Sequence, residues 1–188
     1  YLSRDEFFKL CDKAGFKLQK DKEQLSRYLH DLGVCLHFQD DPLLRKTVFL
    51  KPKWTTDAVY KVLDNKTVIN NLGKFTLTDL EQIWQDEQDM QAELLQLMKN
   101  FRLCYEVQGE ENSFIAPQLL TEKEPVYDWD NQDNLQLRYT YKFMPRGIIW
   151  QVIVALHNLI EEQKYVWRSG VILAREHAKA KVTEDYHE

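Results

Sequence analysis

Between Tyr28 and Phe38 the chain reads YLHDLGVCLHF, and the spacing of its apolar residues changes across one glycine. Before Gly33, the residues Leu25, Tyr28, Leu29 and Leu32 form the apolar face of a helix capped by Asp21. After it, Val34, Leu36 and Phe38 alternate with Cys35 and His37, the pattern of a strand. A glycine just past a helix end permits the left-handed turn that such a change requires. Asp40-Asp41-Pro42 then turns the chain, 47–50 reads as a return strand, and Pro52-Lys53-Trp54 opens a helix through Leu63.

The elements around this joint follow from the same rules. Ser3-Arg4-Asp5-Glu6 has capping-box spacing, followed by Phe7, Leu10, Cys11 and Ala14 at helical intervals and a stop at Gly15. Residues 74–77 are short and extended. Thr78-Asp79-Leu80-Glu81 is a second capping box, starting a helix that ends near Trp84. Met90, Leu94, Leu97, Met98 and Phe101 mark an amphipathic helix. Residues 103–107 and 113–116 are strands joined by Gly109-Glu110-Glu111-Asn112. Helix, strand, helix, helix, hairpin is the order of a winged helix.

Residues 122–134, rich in charge and turn formers and containing Pro125, mark a boundary. Beyond it Leu135, Leu137, Tyr139, Tyr141 and Phe143 alternate strictly, which predicts a strand. Pro145 starts a helix to about Ile160. Residues 165–167 and 171–173 flank Arg168-Ser169-Gly170, a hairpin signal, and a further strand falls near 178–182. The expected class is α+β: a mostly helical part with winged-helix character at 1–124, then a smaller α/β part with an antiparallel sheet from 125 to 188.

Composition narrows the chemistry. The 188 residues are 44% hydrophobic with a net charge of −5, which gives no general attraction to nucleic acid or to an acidic membrane. Three widely spaced cysteines, Cys11, Cys35 and Cys104, fit a reducing compartment and so a cytoplasmic location. No signal peptide opens the chain, and the longest apolar run, 147–155, is too short to cross a bilayer. A start at Tyr1 suggests a piece of a longer protein.

His30, Cys35 and His37 could supply three metal ligands, but no HExxH, CxxC or His-x3–5-His spacing accompanies them. They read as ordinary structural residues, and no metal site is expected. GxSxG and catalytic-cysteine signatures are absent. The acidic pairs look like turns, so a hydrolase of unknown class is the least favoured alternative. Neither GxxxxGK[ST] nor GxGxxG occurs, so this chain is expected to bind no nucleotide and to need no cofactor of its own. The other alternative, a winged-helix DNA binder, needs cations on the recognition helix and wing. Here the helix offers one lysine, Lys99, and the wing carries Glu110 and Glu111.

The helix 147–160 is apolar on more than one face. Ile149, Val152, Ile153, Leu156 and Ile160 fill one side, and Trp150 and Val154 add another. One partner would be the sheet formed by 135–143. The second would be the winged helix, another part of the parent chain or a second subunit.

YLHDLGVCLHF followed by VFLKPKW resembles the COR domain, the segment C-terminal to the Roc GTPase in Roco proteins. That family includes the leucine-rich-repeat kinases and bacterial and archaeal relatives. The carrying residues are Leu29, Gly33, Leu36, His37, Phe38, Asp40-Asp41-Pro42 and Pro52-Lys53-Trp54. FMPRGII at 143–149 and WRSGVIL at 167–173 resemble two later COR signatures, so the likeness spans about the whole chain.

The resemblance implies a non-catalytic module in two parts. The first packs on the Roc GTPase, and the second carries dimer contacts and continues past the hairpin. It also implies that GTP or GDP and Mg belong to the Roc domain, and that the parent is a cytoplasmic GTPase which homodimerises in signal transduction. On this reading His37, Phe38, Val48 and Leu50 form or support the GTPase-facing surface. Leu36 and Phe38 face inward, and Val48 and His37 are the main contacts. Trp150 and Val154 mark the dimer or interdomain face.

Overall fold

The computed structural model describes residues 1–129 and 134–185. In chain order the elements are β1 (Leu2–Ser3), α1 (Arg4–Lys13), α2 (Gln19–Asp31), β2 (Thr47–Val48), α3 (Pro52–Leu63), α4 (Lys66–Asn70), β3 (Lys74–Thr76) and α5 (Leu77–Ile83). Then come α6 (Gln91–Asn100), β4 (Tyr105–Glu106), β5 (Ser113–Ile115), α7 (Ile148–Leu156), β6 (Val166–Trp167), β7 (Gly170–Arg175) and β8 (Ala178–Thr183), with short 3-10 turns between. Helices and small antiparallel sheets together make the α+β class. The contacts divide the chain into two compact units, 1–64 with 80–100, and 65–79 with 101–188.

In the first unit, α1 begins with the expected capping box: Ser3 Oγ accepts from Glu6 N–H at 3.2 Å, and Ser3 N–H donates to Glu6 Oε2 at 2.9 Å. Phe7 and Cys11 then face inward with Cys35 and Val48. β1, which the periodicity does not signal, pairs antiparallel with β2 through Leu2 and Val48. α3 starts on Pro52 as expected and buries Ala58, Val59 and Val62. The Trp84 indole donates to Ala58 O at 2.8 Å, and α6 buries Leu94, Leu97 and Met98.

α2 keeps half of its expected face, with Leu25 and Leu29 packed on the cluster of Phe7, Cys11, Cys35 and Val48. Asp21 lies within its first turn and not at its cap. Tyr28 and Leu32 are 61% and 58% exposed, whereas Lys22 and Ser26 are buried. The inward side of this helix makes polar contacts, with Lys22 Nζ on Asp12 Oδ2 at 2.7 Å and Ser26 on His37.

In the second unit, β3, β5 and β4 form one antiparallel sheet in that order. The cap before α5 sits two residues earlier than the sequence suggested. Asp79 Oδ2 accepts from Thr76 N–H at 2.8 Å, and Asp79 N–H donates back to Thr76 Oγ1. α4, not anticipated, is capped by Asn65, whose Oδ1 accepts from Thr67 and Val68.

The second sheet runs β6-β7-β8, with Val171 opposite both Val166 and Val182. Gly170, paired with Trp167, is required there: a Cβ would lie 2.2 Å from the indole ring. α7 starts at Ile148 behind Gly147 (φ +89°), three residues after Pro145. One of its N-terminal N–H groups is met from afar, with Glu184 Oε2 accepting from Ile149 N–H at 2.8 Å. Ile149 and Ile153 pack with Val166, Val171 and Leu173 on one hand and with Tyr105 and Leu120 on the other. Trp150 and Val154, on the other side of the helix, are partly buried against the same cluster.

The strand expected at 135–143 is absent. Leu135, Leu137, Tyr139, Tyr141 and Phe143 are 89%, 76%, 78%, 50% and 85% exposed, and no ladder bond joins them to the described sheets. An isolated strand has no stability without a neighbour to satisfy its backbone, so alternation alone does not make one. The sheet under α7 is therefore β6-β7-β8 and not 135–143.

Candidate functional site

The joint 28–50 belongs wholly to the first unit. α2 ends at Asp31, Gly33 takes φ +69°, and the Val34 and Cys35 amides fold back to donate to Leu29 O. The chain then runs past β2, and a single antiparallel bridge, Leu36 with Phe49, replaces the expected hairpin ladder. Its two bonds, Leu36 N–H to Phe49 O and Phe49 N–H to Leu36 O, are both 2.9 Å.

The buried face of 34–38 is the reverse of the expected one. Cys35 and His37 are 2% and 3% exposed; Val34 is exposed, and Leu36 and Phe38 are half-buried. Cys35 packs with Phe7 and Val48, and His37 is drawn inward by hydrogen bonds that an apolar residue could not make. His37 Nε2 lies 3.0 Å from Arg45 O, an acceptor, so Nε2 carries the proton. Nδ1 then accepts from Ser26 Oγ at 2.5 Å. The His37 amide donates to His30 Nδ1 at 3.3 Å, and the His30 ring meets Phe38 edge-on at 4.9 Å. Burial, partly offset by the Arg45 carbonyl, lowers the pKa of His37 and keeps the ring neutral. Cys35, buried beside Phe7, has its thiol pushed up and kept inert.

A second fixing point closes the turn. Asp41 Oδ1 accepts from the Leu43 and Leu44 amides, and Oδ2 accepts from Gln96 and Asn100 on α6, all at 2.9 Å. Burial opposes the charge, but these four donors outweigh it and hold the carboxyl below its usual range. Beside this turn lies an open hollow of about 540 Å³, with Arg27, His30, Phe38, Gln39 and Asn100 in its wall.

Of the four residues expected at the GTPase-facing surface, two are interior: Val48 is fully buried and His37 nearly so. Both lie beneath the surface and cannot touch a partner directly without rearrangement. Leu50 is 42% exposed and Phe38 half-buried, so these two carry what surface the set offers. Sequence reasoning missed the roles of Ser26 and Arg45, and took Asp41 for a turn residue without its bonds to Gln96 and Asn100. The signal was there for Ser26: Lys22, Ser26 and Leu29 share a helical face at i, i+4 and i+7.

Trp150 and Val154 are half-buried against the core of their own unit, and the Trp150 indole donates to Arg168 O at 2.9 Å. At the 109–112 turn, Glu110 pairs with Lys74 at 2.6 Å. Among the described residues no group of three or more His, Cys, Asp or Glu converges, and no helix is long and apolar enough to cross a membrane.

Comparison with known proteins fits this arrangement. The family model described as C-terminal of Roc, COR-A domain, matches residues 1–120, and that for the COR-B domain matches 132–188. A Roc-COR-CHAT protease of Runella zeae is 30% identical over 194 aligned residues, covering 100% of this chain and 20% of that protein. A Dictyostelium discoideum protein named "Probable serine/threonine-protein kinase pats1" is 27% identical over 172 residues, 81% of this chain and 5% of its own length. The chain thus spans a fifth or less of these curated relatives. Among solved structures, Methanosarcina barkeri Roco2 RocCORdC bound to GDP matches with a TM-score of 0.55 at 28% identity, over 63% of this chain and 38% of that one. The chain belongs to the COR family of Roco proteins, with COR-A over 1–120 and COR-B over 132–188.

Proposed function

We propose that this chain is the non-catalytic regulatory module of a Roco-type parent. It packs on an adjacent Roc GTPase domain and couples the nucleotide state of that domain to dimerisation and signalling in the cytoplasm. The observation that carries this reading is the pair of family matches, whose description places such segments C-terminal to Roc. The Roco2 RocCOR relative, solved with GDP, adds support. GTP or GDP and Mg are held by the Roc domain. Within the module, 1–124 has winged-helix character, supported by its order of elements and by the β3-β5-β4 sheet, and 125–188 is the second subdomain. Leu50 and Phe38 form the GTPase-facing surface at the joint, while His37 and Val48 support it from beneath. The half-buried edge of α7 at Trp150 and Val154 serves the dimer or interdomain contact.

Coupling of this kind has one thermodynamic requirement: the module must bind the two nucleotide states with different affinity. Isothermal titration of the chain into the parent's Roc domain, loaded with GDP or with a non-hydrolysable GTP analogue, tests it. A several-fold difference in affinity is expected. Equal affinity for the two states, or no binding to either, contradicts the function.

A further inference from the structure

Residues 121–131 fall between the two family matches. The described part, 121–129, has no helix or strand, yet it is fastened along the sheet of the second unit. The Arg168 amide donates to Thr121 O at 2.8 Å. Glu122 meets Arg168 Nη1 at 2.5 Å, and Glu124 meets Lys181 Nζ at 2.5 Å. Tyr127 Oη accepts from Lys179 Nζ at 2.6 Å, and that ammonium also reaches Glu161 at 2.6 Å. The Tyr127 ring meets Tyr165 edge-on at 4.6 Å. Every second or third residue of E-K-E-P-V-Y thus has a matching cation or ring beneath it.

The fastening is laid on, not built in. Val126 is 93% exposed and the Glu122 side chain 80% exposed. Exposed ion pairs of this type are individually weak and screened by salt. The sheet beneath takes none of its ladder hydrogen bonds from the segment: β7 is paired on both sides, and Val171 is buried in the cluster that includes Ile149 and Ile153 of α7. It presents Arg168 and Lys181 to the two carboxylates and Lys179 to the phenol.

We propose that this face of the β6-β7-β8 sheet is a recognition groove for an acidic, tyrosine-bearing extended segment of a partner protein, and that residues 122–129 fill it in cis as a displaceable stand-in. The chemistry of the stand-in defines the ligand: two carboxylates two residues apart, then a phenol three residues on. Tethering gives the cis segment a high effective concentration, so the groove is closed to weak competitors and opens to a partner that also engages a second surface.

The test uses a fluorescein-labelled peptide of residues 121–129 and the 188-residue chain carrying Glu122→Lys, Glu124→Lys and Tyr127→Ser. This released chain should bind the peptide, and the unaltered chain should bind it about tenfold more weakly or worse because its own segment competes. Adding Lys179→Glu and Lys181→Glu to the released chain should abolish binding, as should the same three substitutions placed in the peptide. A released chain that ignores the peptide, or that binds the substituted peptide equally well, overturns the proposal. So does equal competition by single-stranded DNA, which would make the face a general polyanion site. A single change, Lys181→Gln in the otherwise unaltered chain, guards against misfolding of the released variant. It should speed tryptic cleavage after Lys123 and leave β7 amide exchange unchanged; unaltered cleavage at Lys123 also overturns the groove.

Discussion

The joint at 34–38 and the segment 135–143 alternate in the same way, yet the first is fastened into its unit and the second stands off the described sheets. At the joint, His37 is buried because Ser26 and the Arg45 carbonyl give its ring somewhere to bond, and Cys35 because it packs with Phe7 and Val48, while the Leu36–Phe49 bridge ties down the backbone between them. At 135–143 the five apolar side chains are each at least 50% exposed, and no ladder bond joins them to the described sheets. Alternation therefore identifies two faces without choosing between them. The choice is made by hydrogen-bond partners contributed by distant parts of the chain.

The largest expected effect that would break this comparison is at Val48. It has no exposed surface, so Val48→Asp places an uncompensated charge in the core of the first unit and should cost about 4 kcal/mol. Tyr139→Asp, in the exposed segment, should stay within about 0.5 kcal/mol of the unaltered chain. Urea unfolding of both variants measures the contrast. Similar losses at the two sites would mean that the segment is packed.

His37→Phe should come next, at about 2 kcal/mol, because it removes the partners of Ser26 Oγ and the Arg45 carbonyl while preserving bulk. The same residue sets a pH dependence. Its folded pKa is lowered from the ordinary 6.5, so below that pH the unfolded chain takes up the proton first. Stability should be fully present above pH 6.5 and fall as the pH is lowered through the folded-state value. Chemical denaturation across that range should show the slope in the unaltered chain and lose most of it in His37→Phe. An unchanged slope would place the acid sensitivity elsewhere.

How far the sequence discloses these features depends on the range of the interaction. Local signals read correctly: the Ser3–Glu6 box, Pro52 at the start of α3, the turn at Asp41 and the Trp167–Gly170 hairpin all depend on residues within a few positions. Short β1 and the polar part of the inward face of α2 were not legible, because Leu2 needs Val48 and Ser26 needs His37. The cap before α5 was misplaced by two residues since Thr76 and Thr78 are equally plausible partners for an acid three positions on. The candidate site was legible as a location, through Gly33 and the Pro52-Lys53-Trp54 start. Its inward-facing residues were not.

Glu184 provides the smallest expected loss at a buried position and sharpens the same lesson. Its carboxylate caps α7 from 35 residues away, through Ile149 N–H. Glu184→Ala should cost about 1 kcal/mol, the usual value of a lost N-terminal cap, and should be felt in the second unit only. Hydrogen exchange localises it: β7 and α7 amides should exchange faster, and those of α1 and α2 should not change.

The central claim is that the joint underlies a surface meeting a Roc GTPase in a nucleotide-dependent way. Hydrogen exchange across 36–50 in a protein containing both the Roc domain and this chain tests it most directly, with the isolated chain as reference. Slower exchange is expected in this stretch when the Roc domain is present, with a different degree of slowing with GDP than with a non-hydrolysable GTP analogue. The same exchange with and without the Roc domain, in both nucleotide states, would contradict it.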